Sequence, residues 1–287
     1  MRELSYPKNK INVLLLEKVD KVAFDLFKEE GYNVESLDGS LDEKDLIKKI
    51  KDVSILGIRS KTIISDKVIK SANKLLAIGA FCIGTNQIKF ESCNDSGIVI
   101  FNAPYSNTRS VVEIVIAQII NLMRKIVIKS NKMHSGVWRK DSLDSFEIRN
   151  KVIGIVGYGN IGSQLSVICE ALGMKVLYYD ILDKLSIGNA KKCKSLNELL
   201  KNSDIVSLHV DGKKSNTNLI SDKEFSIMKE KSILVNYSRG NVVDIDSLIK
   251  NIKSKKLMGA ALDVFPEEPS NNKEKFESKV KGIEEII

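Results

Sequence analysis

One stretch constrains this chain more than any other. From Val152 to Asp180 it reads VIGIVGYGNIGSQLSVICEALGMKVLYYD. An apolar strand runs directly into Gly157-Tyr158-Gly159-Asn160-Ile161-Gly162, a helical pattern follows, and a second strand ends in Asp180. The spacing gives each glycine a physical role. Gly157 permits the tight turn, Gly159 lets backbone approach a pyrophosphate, and Gly162 lets the helix pack on the strand. The helix start then turns free N–H groups toward phosphates. Such a unit folds only within a parallel α/β sheet and marks a dinucleotide site. Asp180 stands 18 residues beyond the last glycine, where a carboxylate accepts hydrogen bonds from ribose hydroxyls and repels a 2′-phosphate. No arginine lies near it in sequence, so NAD is expected rather than NADP.

The same alternation fills the rest of the chain. INVLLLE, YNVESL, VSILGIR, LLAIGAF and IVIFNA read as strands before Pro104, with amphipathic stretches between them. This predicts a parallel sheet with helices on both faces. After Pro104, SNTRS offers helix caps, and one long helix is expected over about 110–132, apolar on much of its circumference. Its surplus apolar face fits either a core or a subunit contact. From Lys151 the strands resume as KVIGIVGY, KVLYYD, DIVSLHV, SILVNYS and MGAALDVF. Two α/β units are therefore predicted, 1–105 and 106–287.

Composition removes several functions. No apolar run is long enough to span a bilayer, and MRELSYPKNKI carries no signal-peptide core, so a cytoplasmic protein without a membrane role is expected. The net charge of +8 comes from lysines scattered along the chain rather than gathered in one stripe, which argues for a small anionic substrate over nucleic acid. Cys82, Cys93, Cys169 and Cys193 have neither metal-like nor C-x-x-C spacing, so reduced thiols and no metal site are expected. Only seven of the 45 basic residues are arginine. An arginine in so lysine-rich a chain suggests two-pronged recognition of an oxyanion, and Arg59, Arg109 and Arg239 each lie in a motif.

Ligands of open α/β sheets bind beyond the carboxyl ends of the strands. Two strands of the second half end suggestively, SILVNYSRGN in Ser238-Arg239-Gly240 and AALDVFPEEP in Asp263 followed by Glu267 and Glu268 between Pro266 and Pro269. A cation and a proline-braced acid at one sheet edge suit chemistry on an anionic substrate. Glu267 and Glu268 taken alone would read as a solvated acidic loop.

GIRSKT, AIGAFCIGTNQI, FNAPYSNTRSVVEIV, GIVGYGNIGSQL, VSLHV, VNYSRGNVVD and GAALDVFPEEP occur in one order along the chain. In these motifs the chain resembles the D-isomer-specific 2-hydroxyacid dehydrogenases, and among them the bacterial type acting on 3-phosphoglycerate. The resemblance implies a flavodoxin-like substrate domain and a Rossmann-like NAD-binding domain; a homodimer is expected from the apolar helix over about 110–132. It implies that Arg239 holds the substrate carboxylate and polarises the C2 oxygen, and that Glu268 orients the general base. Asp263 would bond the nicotinamide amide. Gly157, Gly159, Asn160, Ile161, Gly162, Asp180, Tyr237 and Ser238 would line the cofactor. Arg59, Ser60, Gly84 and Asn107 would meet the substrate. The implied reaction is hydride transfer from C2 of 3-phosphoglycerate to NAD, giving 3-phosphohydroxypyruvate. Tyr237 is bulkier than the small residue common at that place in the family.

The family's catalytic histidine lies in a T-P-H-I-G-G-like turn, and KGIEEII resembles the strand leading to it, a few residues short. Of the two histidines present, His134 and His209, neither is expected to pair with Glu268. The expectation is therefore a dehydrogenase architecture cut before its base and before the helix that returns to complete the first domain, with no regulatory domain and impaired turnover. Two alternatives stand beside it: a non-catalytic NAD-binding dimer of the same fold, and a dehydrogenase for another D-2-hydroxy acid.

Overall fold

The computed structural model describes residues 6–138, 140–268 and 276–287. The chain divides into two compact units, Met1–Asn107 and Thr108–Ile287.

In the first unit the elements run β1 (Asn12–Leu15), α1 (Lys21–Glu29), β2 (Asn33–Ser36), α2 (Glu43–Lys49), β3 (Ile55–Ile58), α3 (Asp66–Ser71), β4 (Ala77–Ala80), α4 (Phe90–Asp95) and β5 (Val99–Asn102). All five strands are parallel in the order β2-β1-β3-β4-β5, which is the flavodoxin-like order. The helix starts are written in the sequence. Asp20, Asp42 and Ser65 each accept a backbone N–H from the first turn they precede, satisfying donors that a helix start leaves free. One sheet face is buried under α2, α3 and α4 through Leu46, Val68, Ile69 and Cys93. The other face is less evenly covered. Among the described residues α1 packs over Val13 and Leu15 through Phe24 and Phe27, while Val99 and Phe101 stand exposed beside a hollow of about 220 Å³.

The second unit runs α5 (Thr108–Arg124), α6 (Ile126–His134), β6 (Val152–Val156), α7 (Asn160–Ala171), β7 (Lys175–Tyr179), β8 (Lys191–Lys192), α8 (Leu196–Asn202), β9 (Ile205–Leu208), α9 (Asp222–Ile227), β10 (Ser232–Asn236), α10 (Ile245–Lys253) and β11 (Leu257–Leu262). Its parallel strands lie in the order β11-β10-β9-β6-β7-β8. Counted within the unit this is 3-2-1-4-5-6, the doubly wound dinucleotide-binding order. β9 and β10 are buried along their whole length, as strands covered on both faces must be. The run IEEII adds one parallel bridge outside β11, Ala260 opposite Ile286, with the Ala260 amide donating to Glu285 O at 2.9 Å and the Ile287 amide to Ala260 O at 3.0 Å.

The single long helix expected over 110–132 is a correction. It is two helices, broken at Lys125, whose φ is 53°. The loop after α6 supplies the reason. Phe146 donates its amide to the Met123 carbonyl at 2.8 Å, Ser145 donates its hydroxyl to Arg124 O, and Lys125 Nζ reaches Asp144. These contacts take the carbonyls that a continuous helix would have used. α5 buries Val112, Val115, Ile119 and Leu122 in the core of the second unit. Three of the four thiols are buried and all are free. Burial alone pushes Cys169 up to about 12, and burial with the nearby Glu198 charge pushes Cys193 up to about 11.

Candidate active site

The switch point of the second sheet lies between β6 and β9, where strand order reverses and ligands of such sheets bind. The glycine loop leaves β6 there. Gly157 has φ 92°, and a Cβ on it would stand 2.4 Å from the His209 carbonyl oxygen. A Cβ on Gly162 would stand 2.2 Å from Gly157 O. Both glycines are therefore demanded by close packing. Gly159 differs, because nothing lies within 4 Å of where its Cβ would be. That open space above the start of α7, where Asn160 and Ile161 form the first turn, fits a pyrophosphate against backbone N–H groups.

Asp180 follows β7. Its Oδ2 accepts the Tyr158 amide at 2.7 Å and its Oδ1 accepts the Leu182 amide at 2.8 Å. The carboxylate is thus pinned to the glycine loop by one oxygen and to the next turn by the other. Each oxygen keeps a further lone pair for a ribose hydroxyl.

Arg239 and the acids meet at the carboxyl ends of β10 and β11. A Cβ on Gly240 would stand 2.0 Å from the Phe265 backbone, so only glycine lets the two strand exits touch. The Arg239 turn is held from beneath by Asn236, which has no exposed surface. Its Oδ1 accepts the Ser238 amide at 3.1 Å and the Ser238 hydroxyl at 2.8 Å, while its Nδ2 donates to Arg239 O at 3.0 Å. The Arg239 Nη1 donates to Ser238 O at 2.7 Å, and the arginine stem lies against Gly212. Across the exit, Glu268 Oε1 accepts the Phe265 amide at 3.0 Å. Partial burial, and then the Glu268 charge, raise the Asp263 carboxyl above its usual range. The two acids therefore feel one another. Tyr237 packs its ring against the core shared with α5, and burial, with Asp263 beside it, raises its phenol. Pro269 lies outside the described residues.

In the first unit the switch point falls between β1 and β3. Glu17 after β1 is buried, and its two oxygens accept the amides of Lys61 (2.9 Å) and Thr62 (2.8 Å). Gln87 Nε2 donates to Arg59 O at 2.7 Å and to Gly84 O at 3.3 Å. Arg59, Ser60 and Gly84 are thereby brought to one edge, with Arg59 and Ser60 exposed. Asn107 is exposed at the end of this unit, and no hydrogen bond among the described residues joins it to them. Arg109 is occupied by its helix neighbour Glu113 at 2.8 Å. Glu17, Gln87 and Asn236 do not stand out in the sequence as site residues. Only Asn236, a turn-forming amide two residues before Ser238, carries a local signal.

The sequence profile of the D-isomer specific 2-hydroxyacid dehydrogenase NAD binding domain matches residues 116–282. The chain belongs to the D-isomer specific 2-hydroxyacid dehydrogenase family. It is 49% identical over 283 residues to a D-3-phosphoglycerate dehydrogenase of Dictyostelium discoideum, covering 99% of this chain and 70% of that protein. The Escherichia coli protein of that name is 46% identical over 288 residues, covering 100% and 70%. Against a Saccharomyces cerevisiae relative, at 48% identity and 92% of this chain, the match spans 56% of its length. Among solved structures, the NAD complex of D-lactate dehydrogenase from Lactobacillus jensenii superposes with a TM-score of 0.81 at 28% identity, covering 96% and 88%. The Aquifex aeolicus D-lactate dehydrogenase with NAD and lactic acid gives 0.78 at 26%, covering 89% and 78%. The two-domain α/β fold is the one the sequence indicated, and the cofactor of this family member is NAD.

Proposed function

We propose that this chain acts, as a cytoplasmic homodimer, on D-3-phosphoglycerate, giving 3-phosphohydroxypyruvate, the entry reaction of phosphorylated serine synthesis. The observation that carries this reading is the clasped Arg239 turn beside Asp263 and Glu268, in a chain matched along its length by D-3-phosphoglycerate dehydrogenases. Bound NAD supplies the hydride acceptor. The Arg239 guanidinium holds the substrate carboxylate through two parallel hydrogen bonds and draws electron density from the C2 oxygen. Asp263 orients the nicotinamide amide, and Tyr237 contributes backbone rather than its core-packed ring. Arg59 and Ser60, fixed by Glu17 and Gln87, offer a cation and a hydroxyl to the phosphate. Gly84 and Asn107 belong to the same substrate set.

The C2 hydroxyl proton needs an acceptor, and a placed base is worth roughly 10²–10⁴-fold. Glu268 is exposed; one of its oxygens holds the Phe265 amide and the other remains to orient such a base. Neither histidine of these 287 residues suits that role. His209 bonds Ser207 Oγ through Nε2 at 2.8 Å and is held neutral by burial. His134 ends α6 in solvent. Support for the dimer comes from α5 and α6, whose outer sides expose Ile114, Ile126 and Met133.

The test is calorimetric titration of the NADH-loaded protein with 3-phosphoglycerate, lactate and unphosphorylated glycerate, with light scattering on the same sample and turnover of each measured separately with oxidised NAD as hydride acceptor. Preferred binding of the phosphorylated acid by a dimer, abolished in Arg239→Gln, is expected. Equal affinity for lactate and 3-phosphoglycerate would refute the substrate assignment.

A further inference from the structure

The adenosine end of the dinucleotide site is more basic than its sequence neighbourhood shows. Beyond Asp180 the chain loops out and returns as β8, which pairs in parallel with β7 so that Lys192 lies opposite Tyr178. The Cys193 amide donates to Tyr178 O at 2.8 Å and fixes that register. The result is an open cavity of about 530 Å³ at the strand ends, lined by Tyr179, Asp180, Ile181, Lys192, Cys193 and Lys194. Two ammonium groups thus share a pocket with the carboxylate that selects the cofactor.

We propose that Lys192 and Lys194 form an anion-accepting rim on the adenosine pocket, so that rejection of a 2′-phosphorylated dinucleotide rests on Asp180 alone. This rests on the assignment of the glycine loop to a dinucleotide. Lys192 Nζ pairs with Asp183 Oδ1 at 2.5 Å, but the Asp183 side chain is 96% exposed. An ion pair held in water contributes little, so an incoming phosphate exchanges readily for that carboxylate. Among the described residues no acid pairs with Lys194. The Lys192 ammonium also feels the Asp180 charge, which adds to the dominant pull of Asp183 in raising its pKa. Asp180 is fixed by two backbone amides and cannot swing aside. It therefore presents a standing negative charge where a 2′-phosphate would sit, and the lysines present the opposite charge around it. NAD has a neutral hydroxyl at that carbon, so the lysines matter little to it. Lysine serves phosphate as a point charge without the fork geometry of arginine, which suits an open rim.

The experiment measures NADPH and NADH affinity by fluorescence titration, and the readout is their ratio. In Asp180→Asn, which keeps an oxygen for one of the two amides, the NADPH/NADH affinity ratio is expected to rise at least ten-fold. Adding Lys192→Gln and Lys194→Gln to that variant should lower the ratio about ten-fold, the scale of one charge-assisted hydrogen bond. Adding Lys192→Arg instead should keep it. The rise should also shrink as salt is raised, because exposed charges are screened. Should Asp180→Asn fail to fold, Lys192→Gln with Lys194→Gln in the otherwise native chain must still lower the ratio. An unchanged ratio on removing both lysines overturns the proposal while leaving the dinucleotide site intact. Failure of the unmutated protein to bind NADH overturns both.

Discussion

His209 makes the second unit sensitive to mild acid. Its Nδ1 is buried without a hydrogen-bond partner among the described residues, its Nε2 meets Ser207 Oγ, and burial lowers its pKa from 6.5 to about 4. An unfolded chain protonates this imidazole near 6.5, whereas the folded chain resists until about 4. Between those values the unfolded state binds more protons, so stability must fall as pH falls. The gap corresponds to on the order of 3 kcal/mol at 1.36 kcal/mol per pH unit, a large share of what holds a domain folded. The contribution is fully present above the unfolded value and is lost by the time pH reaches the folded one. His209→Gln keeps a polar partner for Ser207 but cannot titrate. Urea unfolding of both proteins, from about pH 7.5 to about pH 4.5, isolates the difference once the carboxylates common to both are subtracted. The transition of the first unit, which lacks this residue, serves as an internal reference. Native protein should lose stability on acidification well ahead of the variant. Parallel loss in both would refute the assignment of a neutral, desolvated imidazole. The consequence reaches the cofactor, because the His209 carbonyl lies directly against Gly157.

Two further substitutions probe the exits of β10 and β11. Asn236→Ala strips a buried turn of three hydrogen bonds and should cost about 3 kcal/mol, the scale of leaving buried groups unsatisfied; a loss of less than about 1 kcal/mol in urea unfolding would show that water replaces the clasp. Asp263→Asn should raise the melting temperature at neutral pH while weakening NAD binding. The raised carboxyl opposes folding only when ionised, so the gain should vanish as pH falls through that raised value to the ordinary 3.8, and a variant less stable than native at neutral pH would contradict this.

What the sequence discloses and what it hides divide along physical lines. The strands, the glycine loop, Asp180 and the Arg239 turn were legible because their signals are local: apolar runs, glycines at fixed spacing, a cation at a strand end. The break at Lys125 was not, because its cause is the loop 141–146 arriving from elsewhere in the chain to take the helix carbonyls. Neither proline nor glycine marks the break, where the sequence reads LMRKIVIK. The lysine rim was hidden for a related reason. Lys192 follows Asp180 by twelve residues, and only the pairing of β8 with β7 brings it alongside.

The same construction recurs at each sheet edge, and it explains why motif residues and supporting residues look so different. Arg59 and Ser60 are exposed on a loop whose backbone is gripped by the buried Glu17. Arg239 projects from a turn gripped by the buried Asn236. Glu17 bonds backbone amides, and Asn236 bonds two backbone groups and the Ser238 hydroxyl, so each fixes the conformation of its loop. Buried polar groups are costly unless fully paired, and these have their partners only when the loop is in place. Each clasp therefore couples loop geometry to folding. If Arg59 and Arg239 meet the substrate as proposed, on ungripped loops they would have to be ordered by it, drawing on binding energy that could otherwise favour the transition state. Here folding has already met that ordering cost.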